Sequence, residues 1–136
     1  MKFQDLEAAF EFVSSAQPFV HSAYVSRSTG ETYWRSELAD LDEFPDDLDA
    51  SIDYVEIPHK HDLNLGKQLV WEFVDQEIPG LRDQVHRIFS RRGAYGRFKA
   101  FLAELHLLEK WFSFEALRTK EALTRWCNNN DITIDP

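Results

Sequence analysis

Val20-His21-Ser22-Ala23-Tyr24-Val25-Ser26, followed after Ser28-Thr29-Gly30 by Glu31-Thr32-Tyr33-Trp34-Arg35, is the stretch on which the fold turns. β-Branched and aromatic residues crowd both arms, as a pleated, half-buried surface favours. Between them stands a glycine, the residue that accepts the positive φ of a tight reversal. The reading is a β-hairpin over 20–36. Downstream, Ile52-Asp53-Tyr54-Val55-Glu56-Ile57 alternates apolar and polar, which predicts a strand over 51–57 ended by Pro58. Upstream, Leu6, Ala9, Phe10 and Val13 recur at helical spacing, which predicts a helix over 4–15 that Pro18 prevents from continuing.

The rest of the chain reads as helix. Leu65, Leu69, Val70, Phe73 and Val74 face inward on a helix over 64–77, which Pro79-Gly80 breaks. Leu81, Val85, Ile88 and Phe89 mark a third helix over 81–91. Tyr95, Phe98, Phe101, Leu102 and Leu105 mark a fourth over 94–106. The fifth, over 109–128, carries an apolar stripe of Phe112, Ala116, Leu123 and Trp126. The short break at 106–108 implies that the last two helices form an antiparallel hairpin. The expected class is α+β: a small antiparallel sheet of about three strands packed with about five helices, as one domain over 1–136.

A chain of 136 residues with eleven Phe, four Trp and four Tyr can build a core without cross-links. Its single Cys127 excludes an internal disulfide. The start Met1-Lys2-Phe3-Gln4-Asp5 lacks a signal peptide's basic and apolar regions, and no apolar run approaches the roughly 20 residues of a membrane helix, so a cytoplasmic location is expected. The net charge of −9 is segregated: residues 1–80 hold 17 acidic and 5 basic groups, residues 81–136 hold 7 and 10. That balance disfavours nucleic acid and anionic membrane as partners and leaves protein as the expected one, with an anionic ligand second.

Arg91-Arg92-Gly93-Ala94-Tyr95-Gly96-Arg97-Phe98-Lys99 resembles the central motif of a bacterial family known as uncharacterised protein family 0158. Ser28–Trp34 resembles that family's hairpin, Tyr54–Pro58 and Asp62–Gly66 its middle, and Lys110-Trp111-Phe112 with Ala122–Cys127 its last helix. The resemblance implies a single-domain cytoplasmic protein and no particular reaction. Three positions depart from the family's pattern: Ala100 stands where an acidic residue is usual, Phe112 where tyrosine is frequent, and Asp131 where glycine precedes Ile132. The first two remove groups an acid–base mechanism could use. The third is a milder change, because Asp tolerates a left-handed cap.

The segment 91–99 is the leading candidate site. Arg91, Arg92, Arg97 and Lys99 cluster in an otherwise acidic chain, beside the turn where a helix would begin. A helix start with flanking guanidinium forks suits a phosphate, a nucleic-acid backbone or an acidic peptide. The competing reading is an ordinary helical turn whose arginines pair with the chain's own carboxylates. Trp111, beside the apolar stripe of the last helix, is added as a contact anchor. The seven carboxylates of 37–50 lack the ordered spacing of a calcium loop and read as a solvated loop. His59 and His61 read as solvated loop histidines, Cys127 as a structural thiol, and Trp126 as core. The sequence points to no metal and no cofactor. It contains no Gly-x-Ser-x-Gly elbow, Ser/His/Asp set, phosphate loop or dinucleotide fingerprint.

Two functional readings follow. The first is a non-enzymatic binding or accessory domain that uses 91–99 to contact an anionic or acidic partner. The second is an enzyme of unrecognised type acting on an anionic small molecule, with Asp53, Glu56 or Glu115 as acid–base groups.

Overall fold

The hairpin forms where its residues place it. Strand β1 (His21–Ser26) runs antiparallel to β2 (Thr32–Ser36), with Ala23 opposite Trp34 and Tyr24 opposite Tyr33. Gly30 closes the turn at φ +75°, its amide donating to the Ser26 carbonyl at 2.8 Å. This computed structural model describes residues 1–136. Its contacts gather into two units, Met1–Leu63 with Ala122–Pro136, and Asn64–Glu121.

In the first unit, β3 (Leu41–Asp42) and β4 (Tyr54–Glu56) flank the hairpin, giving a four-stranded antiparallel sheet in the order β3-β2-β1-β4. The sheet therefore has one strand more than the three expected. Two residues among seven carboxylates give no alternation from which β3 could be read. The strand expected over 51–57 shrinks to three residues for a polar reason. Asp53 turns to the hairpin loop, where its carboxylate accepts from the Ser26 hydroxyl, and from the Ser28 amide and hydroxyl at 2.9 Å each. The Ser26 hydroxyl contributes most to holding this carboxyl below its usual range. Arg27 takes the Ile52 carbonyl, and Ile52 is left 91% exposed.

Helix α1 (Phe3–Ser14) covers one face of the sheet and buries Leu6, Ala9, Phe10 and Val13, the four positions its periodicity names. Phe12 stacks on Trp34 at 4.5 Å and on His21 at 4.6 Å. Beneath the helix, Ala23 and Val25 are fully buried.

The second unit holds α2 (Lys67–Glu77), α3 (Arg82–Phe89), α4 (Ala94–Glu104) and the first part of α5 (Leu108–Asn129). Its core is Leu69, Val70, Phe73, Val74, Val85, Phe98, Leu102 and Trp111. The expected stripe of α5 is corrected by about one position: Trp111 points inward, while Phe112 is 40% exposed and Ala116 is exposed. The phase is set by the α4–α5 turn. His106 adopts φ +60°, and the Leu107 amide reaches back to the Leu102 carbonyl at 2.8 Å. Farther along, Arg118 lies over the Phe114 ring and pairs with Glu72 at 3.4 Å, so a charged residue holds a position that a purely apolar pattern would miss. Trp126 is half-buried rather than core, and Leu123 and Cys127 carry the buried side instead.

Helix α5 ends in a left-handed residue. Asp131 has φ +57°, and the Ile132 amide donates to the Cys127 carbonyl at 2.9 Å. Glycine meets this geometry without the Cβ penalty. Asp131→Gly is therefore expected to stabilise the protein by about 0.5–1 kcal/mol, read as an upward shift of the urea midpoint at unchanged slope.

Candidate functional site

The basic segment starts from backbone geometry. Gly93 at φ +71° reverses the chain between α3 and α4 and stands at the N-cap of α4, where no side chain caps the helix. Arg91, Arg92, Arg97 and Lys99 are exposed around this turn. They are not equivalent. The Arg97 fork closes on main chain, donating to the Arg92 carbonyl and to the Ile88 carbonyl at 2.9 Å. A cation at the end of α3 satisfies carbonyls the helix leaves open. Arg97, expected as a contact residue, is exposed and also clips the turn through its own fork.

Arg91 and Arg92 pair with no carboxylate of their own unit, and neither does Arg87 on α3, whereas three other cations of the unit do. Arg82 is bridged to Asp75, Lys110 to Glu77 at 2.8 Å, and Arg118 to Glu72. Lys99 stands 6.0 Å above the exposed ring of Phe112. Trp111 is corrected from contact anchor to core. It is 1% exposed, edge-on to Phe73 and to Phe98 at 5.3 Å each, with its indole Nε1 unpartnered. Arg91, Arg92 and Lys99 are what remains of the expected surface.

Other candidates also shift. His59 is buried rather than solvated. Its Nε2 lies 2.8 Å from the Ala16 carbonyl and its Nδ1 accepts from the His61 amide at 3.1 Å, which fixes the proton on Nε2 of the neutral ring. Both nitrogens are thus engaged. The segment 37–50 is partly ordered: Asp42 pairs with Arg35 at 3.4 Å, and Glu43 accepts from the Trp34 amide at 3.1 Å. Cys127 is buried, and that burial pushes its thiol up to about 11. Asp53 is engaged by serines, and Glu56 sits on the sheet opposite Tyr24. Glu115 belongs to the other unit, where its charge raises the Tyr95 phenol in second place after burial. One cavity of about 440 Å³ opens between Phe19, His21, Glu56 and His59, and another of about 470 Å³ between Met1, Glu31 and Trp34; neither includes a residue of 91–99.

The family model described as uncharacterised protein family (UPF0158) matches residues 23–135. The chain belongs to that family. Within the UPF0158 match lie the hairpin from Ala23 onward, β4, the 91–99 segment and α5, which include the stretches that carry the sequence resemblance. No curated relative and no solved structure matches the chain. No helix of this UPF0158 protein is long and apolar enough to cross a membrane.

Proposed function

We propose that this UPF0158 protein is a non-enzymatic binding domain that presents Arg91, Arg92 and Lys99 to a carboxylate-rich segment of a partner protein. The observation that carries this reading is the contrast within one unit. Arg82, Lys110 and Arg118 have carboxylate partners, whereas Arg91 and Arg92 stand exposed beside the Gly93 turn without one. An arginine held at a rigid turn loses less freedom on binding than one on a mobile loop, and its fork matches a carboxylate in two places. The Arg97 clip supplies that rigidity.

The double charge reversal Arg91→Glu/Arg92→Glu tests the reading. Capture of partners from the host by the tagged protein at low salt is expected to fall at least tenfold, with circular dichroism and thermal midpoint unchanged. Undiminished capture by the folded variant removes the basic turn as the contact surface.

A further inference from the structure

The sheet of the first unit has a second face, opposite α1. Residues two apart on a strand share a face, as do register partners. Tyr24 is opposite Tyr33 on one side and Glu56 on the other, Ser26 is opposite Tyr54, and Arg35 is two residues from Tyr33. Tyr24, Tyr33, Tyr54 and Arg35 therefore project from one side. The connection from β3 to β4 links the two edges of the sheet and runs across this side. Its Phe44 meets Tyr24 edge-on at 5.1 Å, and its Asp47 accepts from the Tyr54 hydroxyl at 3.3 Å. Tyr33 and Tyr54 meet edge-on at 5.8 Å, and all three tyrosines keep part of their surface in solvent.

The surface joins π faces to negative charge. Glu31 accepts from the Tyr33 hydroxyl, which is the main cause raising that phenol; Asp47 lies by Tyr54, and Glu56 and Asp49 lie by Tyr24. The whole unit carries sixteen carboxylates against five cationic side chains. One guanidinium already occupies the pattern: Arg35 lies 4.1 Å over the Phe44 ring and pairs with Asp42 at 3.4 Å. It shows, inside the molecule, the two contacts that this face offers to a cation, a ring below and a carboxylate beside it.

We infer that this tyrosine face is a docking surface for an arginine-rich segment of a partner protein, whose guanidinium groups stack on Tyr33 and Tyr54 and pair with the carboxylates around them. The site goes beyond the basic turn and lies in the other unit. Charge complementarity favours a basic occupant, and planar stacking favours arginine over lysine.

Hexa-arginine and hexalysine peptides, titrated calorimetrically at moderate salt, test it. Hexa-arginine is expected to bind several-fold tighter than hexalysine. Tyr33→Leu/Tyr54→Leu is expected to weaken hexa-arginine roughly tenfold, about threefold for each ring lost, while Tyr33→Phe/Tyr54→Phe leaves it unchanged. If the leucine pair does not fold, Tyr54→Leu alone is read, with the threefold loss expected. Equal affinity of the leucine variants and the wild type reduces the attraction to net charge and overturns the site. Concentration-dependent dimers in sedimentation, lost in the leucine variant, identify a second copy as the occupant and overturn the partner assignment. Arg91→Glu/Arg92→Glu is expected to leave hexa-arginine binding no weaker, so this test fails separately from that of the basic turn.

Discussion

Trp111→Ala is expected to cost about 3–5 kcal/mol, the range for truncating a fully buried aromatic ring. The indole is 1% exposed and is wedged edge-on between Phe73 and Phe98, with Leu102 and Val85 in the same cluster. Alanine would leave a cavity bounded by rigid rings, which cannot collapse far to fill it. Against the 5–15 kcal/mol that a domain typically has, the loss is a large fraction of the total and should lower the urea midpoint in proportion at unchanged slope. Trp111→Phe separates the two properties of the residue. It retains most of the ring and removes an indole N–H that has no partner in the core, so its loss should be smaller, about 1–2 kcal/mol. A surface anchor would behave in the opposite way, with Trp111→Ala weakening partner capture at unchanged stability.

Gly30→Ala is the second large effect, expected at about 2–3 kcal/mol. Two independent costs meet at this position. The first is conformational: φ is +75°, and an L residue there loses about 1–2 kcal/mol relative to the right-handed region. The second is steric: an added Cβ would lie 3.0 Å from the Met1 Cα and 3.1 Å from its nitrogen. Met1 cannot simply withdraw, because its carbonyl accepts from the Asp135 amide at 2.8 Å and its ammonium bonds the Asp135 carboxylate at 3.2 Å. Gly93→Ala provides the comparison. It has the same sign of φ, but its Cβ would meet only the far end of Arg97 at 3.4 Å. Chemical denaturation of both variants should show Gly30→Ala as the more damaging by about 1 kcal/mol. Equal midpoints would mean that the contact with Met1 carries no weight.

Much of the fold is legible in the sequence where a physical pattern has no competitor. Leu6, Ala9, Phe10 and Val13, like Leu69, Val70, Phe73 and Val74, are the positions at which helical spacing and burial agree. The hairpin is legible because Gly30 is both a turn glycine and a left-handed one. The reading breaks where polar side chains substitute for hydrophobic pattern. β3 is made by pairing with β2 rather than by composition, and β4 is shortened by the hydrogen bonds of Asp53. The phase of α5 is set by a left-handed histidine and by Arg118, neither of which an apolar stripe records. The site shows the same division. Exposure of Arg91, Arg92 and Lys99 follows from their charge, but the capture of Arg97 by two carbonyls depends on where the turn points them. The tyrosine face is visible only after register is known, since Tyr24, Tyr33 and Tyr54 are scattered over thirty-one residues of sequence.

The first unit is assembled from two stretches far apart in the chain, and this has a consequence for biosynthesis. Residues 122–136 supply the buried Leu123, Cys127 and Ile132, the Asn130 carbonyl that binds Arg27, and the Asp135 amide that binds Met1. On the ribosome the sheet emerges early and waits, its closing residues still untranslated, while residues 64–121 are already free to fold. A stop codon at position 122 would thus release a polypeptide that holds every residue of the second unit but lacks those that close the first.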